Sequence, residues 1–415
     1  MAPKYLSGRA PSGAADPPEA WFRLAVSVVL GTIGAVGMWS VVVVLPAVQA
    51  EFGVDRADAS LPYTLTMIGF ALGNFGAGRY VDRYGITLPM MVAAVGLSAG
   101  FASAAASTTI WQFALIQGLV IGLATAVCFG PLIADISHWF RRRRGLAVAA
   151  AASGNYMAGA VWPPIIQALI QVEDWRFAYF IIAVTCIVTM VPLALLLRRR
   201  APRTVPVTAA NGIGASDQPQ PIDLSPRTLQ VLLSIAGLGC CVAMSMPQVH
   251  IVAYCADLGY GIARGAEMLS LMLLGGVASR LVSGALADYI GGVRTLLLGS
   301  VLQGLSLLLY IPFNGLASLY IVSLVFGLSQ GGIVPSYAII VREYLPAREA
   351  GRRIGFIVMM TVFGMGLGGW LSGWIYDLTG SYQAAFLNGI AWNLLNVTIM
   401  LMVLWRSRTP AAAAA

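Results

Sequence analysis

Charged side chains are scarce in this chain of 415 residues. Asp, Glu, Lys and Arg together make up 10% of it, lysine occurs once, as Lys4, and histidine twice. Soluble globular proteins contain about 25% charged residues, so this composition excludes an ordinary water-soluble domain. Apolar residues dominate instead, at 58% of the chain, and the mean hydropathy is +0.80. We therefore expect a polytopic membrane protein.

Reactive and metal-binding constellations are also missing from the sequence. The five cysteines lie in apolar segments without a C-x-x-C spacing, which predicts neither a disulfide framework nor a metal site. No nucleophile constellation or phosphate-binding loop occurs, so we expect no enzyme, no cofactor and no metal. The net charge is +8. The basic residues lie mostly between apolar runs, which indicates a role in membrane topology and not a nucleic-acid surface. The cysteines are Cys128, Cys186, Cys240, Cys241 and Cys255.

Long apolar runs are the main feature of what is present. A helix of about 20 residues crosses the roughly 30 Å of hydrocarbon in a bilayer. Because lipid offers no hydrogen bonds to a free backbone, each run of this length is expected to be a helix. The twelve predicted spans are 22–48, 59–80, 86–107, 110–136, 145–170, 177–197, 228–255, 265–287, 293–313, 316–341, 354–375 and 382–405.

The distribution of basic residues predicts the orientation in the membrane. The chain has 25 lysines and arginines. Apart from Arg56, Arg176, Arg264 and Arg280, all of them lie at the N-terminus, in alternate loops or at the C-terminus. Under the positive-inside rule both termini are cytoplasmic, in the inner or plasma membrane.

A polar segment divides the chain into two similar parts. Residues 201–227 are rich in Pro, Gly, Ser and Asn, which predicts a flexible cytoplasmic linker between an N-terminal six-helix bundle, 1–200, and a C-terminal one, 228–415. The two parts repeat each other at an offset of 206 residues, as is typical of transporters. The matching pairs are Gly53 and Gly259, Gly78 and Gly284, Asp82 and Asp288, Gly85 and Gly291, Gly145 and Gly351, Phe180 and Phe386, and Glu51 and Asp257.

One loop pattern occurs twice, as GRYVDRYG after the second span and as GALADYIG after the eighth. It resembles the loop motif G-x-x-x-D-R-x-G of the major facilitator superfamily, although the second copy lacks the arginine and the first lacks the basic pair that follows. The resemblance implies an all-α membrane protein with 12 transmembrane helices in two pseudo-symmetric six-helix bundles. In that family the loop latches the two halves in one conformation; an ordinary polar turn is the alternative. The predicted conformational gate consists of Gly78, Asp82, Arg83, Gly85, Gly284, Asp288 and Arg294.

A dense basic stretch, HWFRRRRGLAVAAAASG, leads into the fifth span. It resembles the signature of the monocarboxylate transporter family, in which an aromatic pair and basic residues precede L-A-x-G-x-A-x-A-G. The arginines are expected to anchor the helix end among anionic lipid headgroups, and the small residues to allow close helix packing. The residues that fit the signature are Trp139, Phe140, Arg142, Arg143, Arg144, Leu146, Ala147, Ala151 and Gly154.

Arg280 is the basic residue predicted to lie deep inside a span. It is about 8 residues, or roughly 12 Å of helix, from Asp288 at the end of the eighth span. A charged side chain at that depth costs about 2.5 to 3.5 kcal/mol, so we expect it to have a function. Its guanidinium fork matches a carboxylate, so we expect it to bind an anionic substrate. The alternative is an internal ion pair, for which the span offers Glu267 near its opposite end. In the resembled family a span-eight arginine binds substrate, usually beside an aspartate four residues earlier, where this chain has Gly276.

Further polar residues inside the spans are weaker predictions. His250, in the seventh span, has the side chain that titrates nearest neutrality, and is predicted to bind substrate or carry a coupled proton; a histidine bonded for packing is the alternative. For the other polar residues, interhelical hydrogen bonding is the alternative to substrate binding. These predicted substrate-binding residues are Gln117, Asn155, Tyr156, Gln330 and Tyr337.

Together these features predict a secondary active transporter of small monocarboxylates, such as lactate or pyruvate, that is proton-coupled and works by alternating access. One buried cation balances one carboxylate. The similar oxalate carriers have a second cation, a lysine in span eleven, and this chain has no basic residue there. The alternative is an organic-anion exchanger of the oxalate/formate type, which needs no titratable residue. A receptor or scaffold of transporter descent is the alternative from another class. The expected partners are a small organic monocarboxylate anion, a proton and the lipid bilayer, without nucleic acid, and the transporter is expected to be a monomer.

Overall fold

The computed structural model describes residues 17–140, 143–199 and 222–408, which form helices joined by short turns. Twelve consecutive helical rods, numbered span 1 to span 12, run through these ranges in alternating directions. Their bounds are Pro18–Phe52, Arg56–Tyr84, Thr87–Ala105, Ile110–Trp139, Arg144–Val172, Trp175–Leu196, Pro226–Asp257, Ile262–Ile290, Gly292–Leu309, Leu316–Tyr344, Ala347–Thr379 and Tyr382–Arg408. The predicted all-helical fold with twelve spans is confirmed.

Ten of these rods are long and apolar enough to cross a membrane by length and composition, within the part of the chain that is described. Spans 2 and 5 lie outside this group, although each is a single helix of 29 residues. Most helices extend a few residues beyond the predicted apolar runs, and polar side chains cap some of their starts. The side chain of Ser225, for example, accepts a hydrogen bond from the backbone of Thr228 at the start of span 7.

Three spans are interrupted. Span 1 turns at Ala35, between Pro18–Gly34 and Val36–Phe52. Span 4 is π-helical over Gln117–Gly122 and turns before its last segment, Gly130–Trp139. Span 10 consists of Leu316–Gln330 and Ile333–Tyr344, with a turn between them. At such interruptions some backbone carbonyl oxygens inside the protein lose their helical hydrogen bonds. Side chains can then bond to these oxygens.

Two pairs of loops show that the internal repeat extends to backbone geometry. Gly53 and Gly259, which end the turns after spans 1 and 7, have φ angles of +62° and +80°. Gly85 and Gly291, after spans 2 and 8, have φ angles of +77° and +81°. Side chains disfavour this left-handed region, so glycine is required at all four turns. Residues at the offset predicted from sequence therefore make the same turn in each half.

Spans 1–6 and spans 7–12 form the two six-helix bundles of the predicted fold. The bundles meet mainly where span 2 packs on span 11, span 5 on span 8, and span 1 on span 7. The predicted division at 201–227 lies largely outside the described residues and stays a prediction. We call the end of the molecule where span 6 ends and span 7 begins the linker end, and the opposite end the far end.

Candidate functional site

Arg280 lies in span 8, half-buried between the two halves of the molecule. Its Nε donates a hydrogen bond to the carbonyl oxygen of Gly331, at 3.3 Å, in the turn that interrupts span 10. Its Nη1 donates to the carbonyl oxygen of Ala152 in span 5, at 2.8 Å. The guanidinium carbon is 4.1 Å from the ring centroid of Tyr156. Two carbonyl oxygens and one aromatic face therefore hold the cation, with one half contributing through span 5 and the other through span 10.

The ring of Tyr156 occupies the space beside Gly276, one helical turn before Arg280. A Cβ atom added to Gly276 would lie 3.3 Å from Cδ2 and 3.4 Å from Cε2 of that ring. This is the position at which the resembled family usually has an aspartate. The face of an aromatic ring attracts a cation without cancelling its charge. The arrangement thus stabilises the guanidinium and leaves its positive charge without a carboxylate partner in the described ranges.

The other buried arginines have carboxylate partners. Arg23 is 2.7 Å from Asp135, Arg56 is 3.1 Å from Asp257, and Arg353 pairs with a glutamate on its own helix. Within the described ranges no carboxylate lies within salt-bridge distance of Arg280. The alternative partner named from sequence is engaged elsewhere: Glu267 pairs with Arg264 at 3.0 Å and accepts a hydrogen bond from Tyr320.

His250 is fully buried in span 7. Its Nε2 lies 2.8 Å from the carbonyl oxygen of Gly369 in span 11, and its ring centroid is 5.9 Å from that of Tyr382. Its Nδ1 has no hydrogen-bond partner among the residues described. The observed contacts of His250 are therefore with spans 11 and 12 and not with Arg280. Its role in substrate binding or proton transfer stays a prediction.

Two predicted polar residues of the N-terminal half bond to span 1. The side-chain oxygen of Asn155 accepts a hydrogen bond from Nε1 of Trp39 at 3.1 Å. Gln117, in the π-helical part of span 4, donates from Nε2 to the carbonyl oxygen of Gly37 at 3.2 Å. Both contacts lie within one half, so both residues have the interhelical bonds named as the alternative. Substrate binding by either one stays a prediction.

Two predicted residues of the C-terminal half are also bonded within their own half. Gln330 accepts a hydrogen bond at its Oε1 from Nε2 of Gln248, at 2.8 Å. The hydroxyl of Tyr337 donates to Oδ1 of Asn396, at 3.1 Å. Both side chains are fully buried. Of the polar residues predicted in spans 4, 5 and 10, Tyr156 is the one whose side chain is in contact with Arg280 in the described structure.

The predicted gate lies at the linker end. Arg83, Asp288 and Arg294 are exposed there, and the guanidinium carbon of Arg83 is 5.3 Å from the ring centroid of Tyr84. Gly284 and the turn glycine Gly85 lie at the same end. Positions 78 and 82 lie outside the residues whose side chains are described. The latch function of this group stays a prediction.

Glycines along the interface between the two halves show how closely the spans pack at each end of the molecule. At the far end, span 11 packs tightly on span 2: Cβ atoms added there would lie within 3.3 Å of span 2. At the linker end, Cβ atoms added to glycines of the interface spans 5, 8 and 11 would have nothing within 4 Å. The molecule is therefore closed at the far end and open toward the linker end. The packed glycines are Gly366, Gly369 and Gly373, and the open ones are Gly145, Gly284, Gly351 and Gly355.

Two ion pairs of buried arginines with partners on other spans are not predicted from the sequence. Arg23 is buried and forms two hydrogen bonds with the carboxylate of Asp135. Arg56 stands out in the sequence only as an exception to the positive-inside rule. A signal for the first pair is present, because both residues lie at the ends of predicted apolar runs, and a base and an acid at that depth favour partners. The pairing of Arg56 with Asp257 joins residues of different halves, and no local pattern indicates it.

The signature stretch before span 5 packs on span 1. Phe140 contacts Trp21 edge-on, with centroids 5.0 Å apart, and Arg23 lies 4.6 Å from the centroid of Trp139. A Cβ atom on Gly154 would lie 3.2 Å from the carbonyl oxygen of Val28. The small residues thus allow the close helix approach predicted for them. The charged residues at 141 and 142 lie outside the described ranges.

Comparison with known families and structures agrees with this architecture. The family model of the Major Facilitator Superfamily matches residues 28–315 and 233–415. Monocarboxylate transporter 13 of Bos taurus is 27% identical, over 78% of this chain and 75% of its own length. Monocarboxylate transporter 11 of Homo sapiens is 26% identical, over 91% of this chain and 81% of its own.

Solved structures show the same fold at low sequence identity. The nucleoside transporter NupG superposes with a TM-score of 0.72 at 14% identity, covering 92% of this chain and 99% of its own. A bacterial homolog of the human lysosomal transporter Spinster, in an inward-facing and occupied conformation, superposes with a TM-score of 0.70 at 13% identity, covering 95% and 98%. The family match spans nearly the whole chain. This protein belongs to the Major Facilitator Superfamily and is a membrane transporter, not an enzyme.

Proposed function

We propose that this transporter carries small monocarboxylates, such as lactate or pyruvate, across the membrane by alternating access, with Arg280 as the anion site. The observation that carries the proposal is the Arg280 guanidinium, which lies between the two halves, held by two carbonyl oxygens and one ring. The names of the relatives in other organisms, monocarboxylate transporters 11 and 13, support the same substrate class.

The contacts of Arg280 suggest how a carboxylate engages it. A carboxylate oxygen makes a charge-assisted hydrogen bond about twice as strong as one to a neutral carbonyl. An entering anion therefore competes with the carbonyl of Ala152, which is the cross-half partner of the guanidinium. Binding neutralises the half-buried guanidinium of Arg280, which has no carboxylate partner in the described ranges. A neutral site is less costly to enclose between the two halves than a charged one.

Coupling follows one of two schemes. In proton symport, His250 carries the proton, and its Nδ1, which lacks a partner among the described residues, supplies the site. In exchange, the cation moves between states only with an anion bound. The contact of Tyr156 with Gly276 favours exchange, because a ring and not a titratable carboxylate stands beside Arg280. The observation in favour of proton symport is the fully buried His250, whose Nδ1 has no partner among the described residues; we propose symport first, with His250 as its carrier, and exchange second.

The test is uptake of radiolabelled L-lactate by proteoliposomes that contain the purified protein. Arg280→Gln should reduce uptake by at least about tenfold, because the charged partner of the carboxylate is lost. Arg264→Gln is the matched control, since Arg264 is exposed and pairs with Glu267 outside the site. Uptake that is undiminished in Arg280→Gln would overturn the proposal.

The same vesicles separate the two coupling schemes. Proton symport predicts faster uptake with an inward proton gradient and loss of that acceleration in His250→Gln. Exchange predicts uptake that requires a monocarboxylate inside the vesicles and that is insensitive to the gradient.

A further inference from the structure

Arg56, at the start of span 2, is buried at the far end of the interface between the halves. Its Nη2 donates to both carboxylate oxygens of Asp257 at the end of span 7, at 3.1 and 3.3 Å. Its Nη1 donates to the hydroxyl of Tyr382 at the start of span 12, at 2.6 Å. The guanidinium carbon lies 4.9 Å from the ring centroid of Tyr376 in span 11. Three spans of one half thus hold a single cation of the other.

The backbone of the same residue is bound across the interface as well. The carboxylate of Asp377, near the end of span 11, accepts hydrogen bonds from the backbone N–H groups of Arg56 at 2.9 Å and Ala57 at 2.7 Å. The first N–H groups of a helix have no partner within it, and a carboxylate there also interacts favourably with the helix dipole. An acid of the C-terminal half therefore caps span 2 of the N-terminal half.

The internal repeat explains why this pair crosses the interface. Glu51 and Asp257 are equivalent at the offset of 206 residues, and Arg176 and Tyr382 are equivalent at the same offset. In the N-terminal half, Arg176 pairs with Glu51 at 2.5 Å, within that half. In the C-terminal half, tyrosine replaces the arginine, so the carboxylate of Asp257 has no equivalent cation of its own half. Arg56 supplies that charge from the other half.

We propose that Arg56, Asp257, Asp377 and Tyr382 form an ionic lock that holds the far end closed and must separate before the Arg280 site can open there. The proposal rests on the alternating access proposed above. The side chain of Arg56 is 8% exposed and that of Asp257 33%, so closure buries the cation and leaves the carboxylate at the rim. Opening returns both charges to water, which offsets the loss of their attraction and keeps the step reversible.

Double electron–electron resonance measures the distance between two spin labels, one on each half at the far end. The measurement needs neither substrate nor transport. Glu173→Cys, between spans 5 and 6, and Asn314→Cys, between spans 9 and 10, place labels at exposed far-end positions of different halves. The five native cysteines are buried, so the introduced thiols are the accessible ones. In the parent protein we expect a short-distance population that corresponds to the closed far end.

Asp257→Asn should increase the ratio of long-distance to short-distance populations by about tenfold, since one charge of a largely buried pair is removed. Arg56→Gln should do the same, and the double variant should add little to either, because both changes remove one interaction. The matched control is Arg176→Gln, which breaks the equivalent pair within one half and should leave the distances unchanged.

Unchanged distances in Asp257→Asn would overturn the lock, whatever the result for Arg56→Gln. Asp257 is the more exposed partner, and its substitution leaves the start of span 2, where Arg56 lies, unchanged. Equal opening in Arg176→Gln would also overturn it. The distances are independent of lactate uptake, so the lock can fail while the substrate proposal stands, and the reverse.

Discussion

At the scale of single residues, the buried arginines differ in how their charge is satisfied. Arg23 and Arg56 are bound to carboxylates, so their charge is already paired within the protein. Arg280 is bound to carbonyl oxygens and to the ring of Tyr156, which orient the guanidinium without neutralising it. An unneutralised cation at the interface of the two halves is consistent with the anion binding proposed above.

The cation–π contact of Tyr156 gives a prediction at this scale. Tyr156→Phe keeps the ring over Arg280 and should bind L-lactate within about twofold of the parent protein. Tyr156→Leu removes the ring and should weaken binding by about 5- to 30-fold, the equivalent of roughly 1 to 2 kcal/mol. The dissociation constant of L-lactate for each variant can be measured by substrate-dependent thermal shift or by a scintillation proximity assay. Equal weakening in both variants would instead assign the effect to the hydroxyl.

At the scale of helices, glycines decide how closely spans cross. Gly69 in span 2 meets the π-helical segment of span 4, and a Cβ atom there would lie 1.9 Å from the carbonyl oxygen of Gly118. Gly122, one turn further along span 4, also approaches span 2 closely, with its added Cβ 2.7 Å from the carbonyl oxygen of Thr66. Backbone cannot move aside as a flexible side chain can, so these glycines set the distance between the two helices.

Two substitutions on span 2 test this crossing. Gly69→Ala should lower the melting temperature of the purified protein or prevent folding, since overpacking against backbone costs about 1 to 3 kcal/mol or more. Gly76→Ala, on the same helix, has nothing within 4 Å of its added Cβ and should be neutral or stabilising by up to about 1 kcal/mol. Thermal unfolding in detergent compares the two, and similar melting temperatures would contradict the crossing geometry.

At the scale of the whole molecule, the two halves touch at the far end and part at the linker end. The contacts at Gly366 and Gly369 close the first. Gly355 is 11 residues before Gly366, which is three helical turns and therefore nearly the same face of span 11. That face has open space at Gly355. The same helix face is thus packed near one end of the span and free near the other.

Thiol modification can check the direction of opening. Gly355→Cys should react rapidly with a water-soluble maleimide, since it lies on the open part of the interface. Ser60→Cys is nearly isosteric and should react at least about tenfold more slowly, because Ser60 is fully buried at the far end. The expected order reverses in a far-end-open state. Rapid reaction at both positions in the substrate-free protein would contradict a closed far end.

Much of the architecture follows from the sequence. Apolar runs near 20 residues must be helices in lipid, so twelve spans were predictable although their ends were not. The repeated turns were predictable too, because glycine is the residue that adopts their positive φ angles, as at Gly85 and Gly291. Arg280 was found because a charge deep in an apolar run is conspicuous by itself.

Tertiary structure alone decided the partners. Arg56 and Asp257 are 201 residues apart in sequence, and hydropathy or spacing near either one gives no sign of the other. The ring of Tyr156 beside Gly276, and the closed far end, likewise depend on how the two halves pack. The sequence by itself determined which segments are helices and where a charge is buried, because these are local properties of the chain. Which groups meet across the interface is a property of the packed molecule, and only the tertiary structure decided it.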